Sequence, residues 1–247
     1  MTDRSMVSIR LGAEADIPAI VSIEQQVYHG TGCTPFIEDH VRCWLDTHPD
    51  GFLVAEKNDA VKAFCYLQLI DFNPADQIPC RTYDELTDHG YSRATHKPDG
   101  NTFCMITLDS LSPGVGLTLI KNLGKHITSR GKPYAVGTSR ISGFSAYLEK
   151  IHNLGIINKD LLDKDAVMKI ALWYAAQTVK RTRGTLDSTC PRIPELDLPA
   201  PGKSDPILGF YTGNGLSMHS VYPDFLEDAQ SRNFSVIVVY RSPCCFP

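Results

Sequence analysis

The sequence has no long hydrophobic run and no excess of basic residues, and these two absences narrow the classes of protein to consider. No stretch of about 18 apolar residues occurs, so we expect no membrane-spanning helix. The first ten residues lack the apolar core of a secretory leader. With 24 Lys and Arg against 28 Asp and Glu, the formal net charge of −4 provides no basic field for nucleic acid. We therefore expect a cytoplasmic protein with a small-molecule substrate and with no nucleic-acid or membrane partner.

Paired cysteine motifs are also missing. The eight cysteines are scattered at positions 33, 43, 65, 80, 104, 190, 244 and 245, and none forms a Cys-x-x-Cys pair. This spacing argues against a zinc knuckle or another metal site and favours reduced thiols over a disulfide framework. The segment Cys244-Cys245-Phe246-Pro247 has the outline of a prenylation box. Because proline is not a usual final residue of that box, we interpret the segment as a frayed tail.

What the sequence does contain is the composition of an ordinary globular protein, with 43% hydrophobic and 21% charged residues. A length of 247 residues suits one large domain or two small ones. We predict a single domain spanning 1–247, with loop insertions at about 71–101 and 151–206. Long loops in a compact domain are usually functional, and the prolines between 184 and 206 indicate a semi-rigid cover loop.

Hydrophobic periodicity predicts a defined order of strands and helices. The predicted strands cover residues 7–11, 51–57, 61–70, 102–108, 134–139 and 235–240. The predicted helices cover residues 16–28, 36–45, 117–130, 165–181 and 205–211, and a short helical turn begins at Thr82, which has capping-box spacing to Glu85. Asn58 and Asp59 separate the second and third strands as a tight hairpin turn.

A Gly-x-Gly turn, Gly114-Val115-Gly116, lies directly between the fourth predicted strand and a helix. The first N–H groups of a helix lack intrahelical partners, and glycine allows a pyrophosphate to approach them closely. The same pattern also occurs as a tight turn or a helix-packing site. A dinucleotide fingerprint requires a third glycine at position 119, where Leu119 stands, so a nicotinamide enzyme is disfavoured.

The order of elements, the glycine turn and the segment Phe210-Tyr211-Thr212-Gly213-Asn214-Gly215 together resemble the GNAT acyltransferase superfamily over nearly the whole chain. The resemblance implies an α/β (α+β) fold. Its central sheet is mixed, mostly antiparallel and twisted, with a splay between the fourth and fifth strands and helices on its flanks. The co-substrate is acyl-CoA or an acyl-phosphopantetheine of a carrier protein, with no tightly bound cofactor.

In that superfamily the glycine turn binds the pyrophosphate of coenzyme A, and the backbone of the preceding strand holds the thioester carbonyl. By resemblance these cofactor-binding positions are Leu108, Ser112, Gly114, Val115, Gly116, Leu117 and Thr118. Leu111 stands where the family usually has Arg or Gln. This departure leaves room for a carrier-protein thioester as donor.

Family members have an aromatic-Tyr pair four residues before a glycine, and that tyrosine commonly protonates the departing thiolate. Phe210, Tyr211 and Gly215 match this spacing. A phenol with a pKa near 10 is a suitable general acid for a thiolate whose pKa is about 8 to 9. The alternative interpretation of Tyr211 is a core tyrosine that packs on the sheet.

A closer resemblance is to the GNAT-like branch that includes polyketide loading and decarboxylase domains and nitrilase-linked GNAT modules. The resemblance is carried by four segments, at 82–87, 95–102, 139–144 and 205–208. Thr138 matches the catalytic threonine of the decarboxylating members, which have a histidine at the position of Tyr211 and an arginine near Leu226. Loss of both argues against malonyl decarboxylation.

The remaining candidates concern the acceptor. Arg140 has a planar guanidinium suited to a carboxylate of the substrate, and its alternative role is a salt bridge that holds the following loop. Asp109 or His96 could deprotonate an amine. Alternatively, Asp109 caps the turn and His96 is an ordinary loop histidine.

The leading prediction is therefore an N-acyltransferase that moves an acyl group from acyl-CoA or a carrier-protein thioester to a small-molecule acceptor, for which we expect an amine. One alternative keeps the fold and replaces transfer by decarboxylation or carrier-protein loading. The other alternative is a non-catalytic acyl-thioester-binding module. The acceptor, the acyl chain length and the oligomeric state are not determined by the sequence.

Overall fold

The structure, a computed structural model, describes residues 6–78 and 80–243. The four-residue segment read as a frayed tail lies outside these residues. The described strands are β1 (Ser8–Leu11), β2 (Phe52–Lys57), β3 (Ala60–Ile70), β4 (Thr102–Ser110), β5 (Tyr134–Arg140), β6 (Ser217–Tyr222) and β7 (Ser235–Arg241). The described helices are α1 (Ile17–Val27), α2 (Glu38–Thr47), α3 (Tyr83–Thr87), α4 (Val115–Ser129), α5 (Phe144–Asn153), α6 (Lys164–Thr182) and α7 (Pro206–Thr212).

The strands form a mixed, mostly antiparallel sheet with the order β1-β2-β3-β4-β5-β7-β6, in which β4 and β5 are parallel. This confirms the predicted α/β fold class. The described chain divides into two compact units, and the boundary falls inside β5. The first unit comprises residues up to Val136 together with those from Arg241 onward, and the second comprises Gly137–Tyr240. The single domain expected from the sequence stays a prediction.

The first unit contains the antiparallel series β1 to β4. Asn58 and Asp59 join β2 to β3 with φ angles of 55° and 57°, the left-handed conformation that a type I′ hairpin turn requires at both central positions. The predicted hairpin is therefore present. Between β3 and β4 the register shifts beside Tyr66, which pairs with Thr107, whereas the next residue, Leu67, pairs with Met105. The intervening Ile106 is thus a β-bulge, an extra residue of β4 that has no partner in the β3–β4 register.

The core of the first unit lies between α1, α2 and the sheet. Trp44 is fully buried and stacks on Tyr66 with 4.7 Å between ring centroids, while its indole N–H donates to the carbonyl of Gly90 at 2.7 Å. The apolar side chains around it are Ile17, Ile20, Ile23, Val41, Phe52, Val54, Phe64 and Ile106. Burial of this cluster accounts for the helical and strand periodicity from which these elements were predicted.

The long segment 71–101 is tied closely to β3. The buried amide of Gln68 donates to the carbonyl of Leu86 at 2.8 Å and accepts a hydrogen bond from the hydroxyl of Thr95 at 2.7 Å. Thr82 accepts from the N–H of Glu85 at 3.2 Å, which is the cap predicted for the helical turn. The hydrogen bonds of Gln68 therefore join the described residues of this segment to β3 within the first unit.

The second unit contains α5, α6, α7 and the antiparallel pair of β6 and β7. Two of its elements were not predicted from the sequence. Helix α5 has a strongly amphipathic pattern that the neighbouring Gly143 obscured, and β6 follows the turn at Gly215 without the β-branched enrichment that marked β7. None of the described helices combines the length and the apolar character needed to cross a membrane. The six described cysteines are thiols rather than disulfides.

Candidate functional site

The glycine turn between β4 and α4 has the conformation that an anion site requires. Gly114 is the N-cap of α4 with φ of 82° and ψ of −21°, a left-handed conformation that favours glycine. A Cβ added at Gly114 would meet no atom within 4 Å, so the backbone is open to a ligand on that side. The backbone of the turn is therefore accessible on that side, and its role in binding a pyrophosphate stays a prediction.

The N–H groups at the start of α4 are available in this geometry. The N–H of Val115 donates to the carbonyl of Ser112 at 3.1 Å, and the helical series begins where Thr118 donates to Gly114 at 3.0 Å. The N–H groups of Gly116 and Leu117 lie between these two bonds, before the first intrahelical acceptor. Since α4 has no acidic side chain in its first turn, its positive end is not neutralised from within the helix.

Asp109 lies near the end of β4, and its carboxylate is held inside the first unit. The side chain is 7% exposed, and the hydroxyl of Thr107 donates to Oδ2 of Asp109 at 2.5 Å. The two residues are separated by one position on the strand, so they share a face. Leu108, between them, points the other way and is half-buried. Asp109 is thus a strand residue on the α1 side of β4 rather than a cap of the glycine turn.

Glu24 of α1 reaches the same place and was missed in the sequence. Its side chain is fully buried, and the N–H of Phe36 donates to its Oε2 at 3.0 Å. Burial first, and then the negative charge of Asp109, raise the pKa of Glu24 to about 10. A signal was present: Ile17, Ile20 and Val27 define the apolar face of α1, and Glu24 falls on that face.

His96 lies at the other end of the β3–β4 pair. Its Nδ1 accepts from the N–H of Leu69 at 3.1 Å, and Leu69 pairs with Phe103, whereas Asp109 pairs with Phe64. Phe103 and Asp109 are six positions apart on β4, a distance of about 20 Å. The structure therefore does not bring His96 and Asp109 together. A substrate role for His96 stays a prediction.

His96 belongs instead to a histidine cluster, which we define as His48, His96 and His126. The rings of His48 and His96 stack with 4.6 Å between centroids, and Phe103 lies between His48 and His126 at 6.1 and 5.9 Å. The buried Nε2 atoms of His48 and His126 have no hydrogen-bond partner within the described residues. Burial lowers the pKa of all three, that of His48 to about 4. The described residues contain no group of three or more ligands placed to hold a metal.

In the second unit, Asp205 joins two of the segments on which the family resemblance rests. Its Oδ1 accepts from the N–H groups of Ile207 and Leu208 at 3.1 Å each, which caps α7, and its Oδ2 accepts from the N–H of Gly143 at 2.8 Å. A Cβ at Gly143 would lie 2.5 Å from the hydroxyl oxygen of Tyr174. The side chain of Asp205 is therefore a buried anchor between the start of α7 and the loop that follows β5.

Tyr211 and Thr138 both belong to the second unit. Tyr211 is 7% exposed in the last turn of α7, and its ring meets that of Phe210 edge-on with 5.5 Å between centroids. Thr138 is half-buried in β5. The predicted aromatic-Tyr pair is thus at the end of a capped helix, as the sequence indicated, while the catalytic roles of both residues stay predictions.

Arg140 ends β5 and has an acidic partner. Its guanidinium lies 3.6 Å from Oδ1 of Asp228, whose side chain is fully buried, and Asp228 also accepts from the hydroxyl of Ser231 at 2.7 Å. The adjoining loop is held by the N–H of Ser145, which donates to the carbonyl of Gln230 at 2.9 Å. The alternative sequence interpretation, a salt bridge that holds this loop, is therefore present in the structure.

Comparisons with known proteins add to this geometry. No family model matches the chain. In sequence the chain is similar to the uncharacterized N-acetyltransferase YkwB of Bacillus subtilis, with 23% identity over 243 residues, covering 96% of this chain and 89% of that protein. In structure it is similar to the GphF GNAT-like decarboxylase in complex with isobutyryl-CoA, with a TM-score of 0.65 and 19% identity, covering 95% of this chain and 98% of that one.

A second structural likeness is to the loading GNATL domain of CurA from Lyngbya majuscula, with a TM-score of 0.60 and 13% identity, covering 96% of this chain and 98% of that domain. The fold of the chain is the GNAT fold, and the predicted resemblance to the GNAT superfamily is confirmed. Both structural likenesses are to the GNAT-like decarboxylase and loading proteins that the sequence motifs indicated.

Proposed function

We propose that the chain is an acyltransferase that binds an acyl-CoA, or the acyl-phosphopantetheine of a carrier protein, at the glycine turn. The observation that carries this proposal is the left-handed Gly114 at the N-terminus of α4, directly after β4, with open space above its backbone. The N–H groups of Gly116 and Leu117 would bind the pyrophosphate. The similar GphF protein is in complex with isobutyryl-CoA, and this likeness of fold supports the same class of ligand here.

In the proposed reaction, the nitrogen of an amine acceptor attacks the thioester carbonyl, a C–N bond forms and the C–S bond breaks. The backbone at Leu108 stabilises the developing oxyanion, and Asp109 accepts the proton that the nitrogen loses. Tyr211 gives its phenolic proton to the departing thiolate and regains one from solvent. Ser112, Val115 and Thr118 complete the donor-binding turn. The reduced thiols of the chain suit a cytoplasmic setting.

Donor binding is tested by the variant Gly114→Asp. A carboxylate at this position repels the pyrophosphate, and the strain of a non-glycine residue at a positive φ is matched in the control described below. We expect calorimetry to show that acetyl-CoA binds the wild type and binds Gly114→Asp at least tenfold more weakly. The matched control is Gly131→Asp at the other end of α4, because Gly131 also has a positive φ, 66°, and open space above it. Equal weakening in both variants would contradict the proposed site.

The role of Tyr211 is tested by Tyr211→Phe. We expect the turnover of acetyl-CoA with a panel of primary amines to fall by about 10²- to 10⁴-fold, the range typical of a lost general acid, while acetyl-CoA binding is retained. Tyr147→Phe is the control, since Tyr147 is a buried tyrosine of the same unit whose hydroxyl donates to the carbonyl of Pro199 at 2.9 Å. Turnover unaffected by Tyr211→Phe would leave the tyrosine as a packing residue.

A second candidate function is decarboxylation or loading of an acyl thioester, with Thr138 as the catalytic residue and Arg140 as its partner for a carboxylate. The likeness of the whole chain to the GphF decarboxylase and the CurA loading domain favours it. Incubation with malonyl-CoA separates the two functions. Formation of acetyl-CoA that depends on Thr138 would support decarboxylation, and transfer of an intact acyl group to an amine would support the leading proposal. Binding of acetyl-CoA without either product would point to a non-catalytic acyl-thioester-binding module.

A further inference from the structure

We infer that Glu24 and Asp109 form a carboxyl pair that shares one proton, and that Glu24 positions and tunes Asp109 for taking the proton of the acceptor. This inference rests on the proposed acyl transfer, because it assigns the group that acts on the acceptor side of that reaction. Asp109 is the catalytic member of the pair, and Glu24 acts through it. The proposal adds a residue on α1 that no motif of the chain indicated.

The shared proton follows from the surroundings of Glu24. Of its two carboxyl oxygens, Oε2 accepts from the N–H of Phe36 at 3.0 Å, whereas Oε1 is buried and is bonded to no donor group in the described chain. Asp109 pairs with Phe64, and Phe64 packs in one cluster with Ile20 and Ile23 of α1, so the side chain of Asp109 lies on the sheet face that α1 covers. The negative charge of Asp109 also raises the pKa of Glu24. Two carboxyl groups can form a hydrogen bond only when one of them holds a proton. An ionised Glu24 would leave a buried oxygen unsatisfied next to a second negative charge, which is costly.

The proton is on Glu24 rather than on Asp109 because the two sites differ. Glu24 is fully buried, whereas Asp109 keeps 7% exposure and accepts a short hydrogen bond from the hydroxyl of Thr107. A donated hydrogen bond favours an ionised carboxylate. Burial raises the pKa of Glu24, in agreement with a neutral side chain there. In this arrangement, Asp109 is the anionic member and Glu24 is a second hydrogen-bond donor to it.

Other titratable groups around the pair do not compete for this role. Tyr83 of α3 has a largely buried side chain, and its hydroxyl donates to the carbonyl of Ile106 at 2.8 Å. The hydroxyl proton of Tyr83 is therefore held in a hydrogen bond to β4. Burial raises the pKa values of Tyr83, of Cys65 on β3 and of Cys104 on β4, which keeps all three neutral. The negative charge near the end of β4 therefore resides on the Glu24–Asp109 pair.

The pair can accept one proton. Before reaction it holds one proton and one negative charge. When the acceptor nitrogen bonds to the acyl carbon, its N–H proton passes to the Asp109 carboxylate, and the pair becomes neutral. The proton then leaves to water, which restores the singly charged pair. The step needs no oxidant and no co-reactant other than the thioester and the acceptor.

The first test is an infrared measurement that needs no substrate. The wild type is expected to show the carbonyl stretch of a protonated carboxylic acid at neutral pH, and this band should disappear in Glu24→Gln and persist in the control Glu38→Gln. Glu38 is an exposed residue of α2 in the same unit. Absence of the band in the wild type, or its persistence in Glu24→Gln, would overturn the shared proton.

The second test measures the pH dependence of acetyl-CoA hydrolysis, with water as the acceptor, from the loss of thioester absorbance. Asp109→Asn should lower the rate by about 10²- to 10⁴-fold. Glu24→Leu removes a donor to Asp109, which raises the pKa of Asp109, so the acidic limb of the profile should move to higher pH. Glu24→Gln keeps a donor and should move the limb less. A uniform loss of rate in both Glu24 variants, with no movement of the limb, would contradict the positioning role.

Calorimetry with acetyl-CoA separates this inference from the function on which it rests. All Glu24 and Asp109 variants should bind acetyl-CoA as the wild type does. A wild type that binds no acyl-CoA would contradict the proposed function and with it the acceptor role of Asp109. Binding combined with an infrared band that does not depend on Glu24 would contradict the carboxyl pair alone.

Discussion

At the scale of single residues, the buried side chain of Asp205 has two structural tasks. It caps α7 and also accepts from the N–H of Gly143. Replacing Asp205 with Ala removes the cap and leaves the Gly143 N–H unsatisfied, so we expect a loss of about 2–4 kcal/mol in the free energy of unfolding. Asp163→Ala is the control, because Asp163 caps α6 at an exposed position and should cost only about 1 kcal/mol. Denaturant titration of both variants measures the difference, and equal losses would contradict the buried anchor.

Some residues of the candidate site were predicted from the sequence, and others were missed. Gly114 and Tyr211 were found because their neighbours match a motif, and the structure places both at helix ends, as that motif implies. Glu24 was missed, since a single acidic residue on an apolar helical face reveals no partner until the fold brings β4 beside it. His96 and Asp109 were predicted as alternative bases, and the structure places them at opposite ends of the β3–β4 pair.

At the scale of elements, the β2–β3 hairpin makes a specific prediction. Asp59 holds a left-handed conformation in the type I′ turn, which glycine adopts at lower cost. We expect Asp59→Gly to raise the free energy of unfolding by about 0.5–1 kcal/mol. Asp59→Val should lower it, because a β-branched side chain is poorly accommodated there. Denaturant titration measures both changes, and a stabilising Asp59→Val would show that the turn is of another type.

Elements with strong periodicity were predicted to within two or three residues. The β2–β3 hairpin, α4 and α6 are examples, since their apolar faces or turn residues are local signals. Helix α5 was missed although its apolar residues recur at helical spacing, and strand β6 was missed because its sequence is poor in β-branched residues. The hydrogen bonds between Gln68 and the segment 71–101 were also not predicted from the sequence, because they join residues that are distant in the chain.

At the scale of the whole molecule, buried titratable groups predict two opposite dependences of stability on pH. The histidine cluster binds protons less readily when folded, since the pKa of His48 falls from 6.5 to about 4. Its contribution is present above pH 6.5 and is lost as the pH falls toward 4. Glu24 has the opposite sign, because its pKa rises from 4.5 to about 10. That contribution is present below pH 4.5 and is lost as the pH rises toward 10.

Thermal unfolding across this pH range tests both dependences. His48→Phe should remove the gain in stability that accompanies a rise from about pH 4 to 6.5, and Glu24→Gln should remove the loss that accompanies a rise from about pH 4.5 to 10. His29→Phe is a control at an exposed histidine and should change neither dependence. An acidic slope that persists in His48→Phe would assign acid sensitivity to groups other than this histidine.

The overall fold was accessible from the sequence because the order of elements is itself a long-range signal, and the GNAT fold confirms it. The identity of the acceptor could not be predicted from the sequence, because no local motif in the second unit indicates which molecule binds.

The anchoring of Gly143 by Asp205 has a consequence for any large-scale mutational survey of this protein. One carboxylate ties the exit of β5, which carries Thr138 and Arg140, to the helix that carries Tyr211. Substitutions at Gly143, Tyr174 or Asp205 would therefore disturb several proposed functional residues together, and in a screen scored by growth or product they would be indistinguishable from loss of a catalytic group. Abundance measured alongside activity would separate the two, since only the anchor variants should lose both.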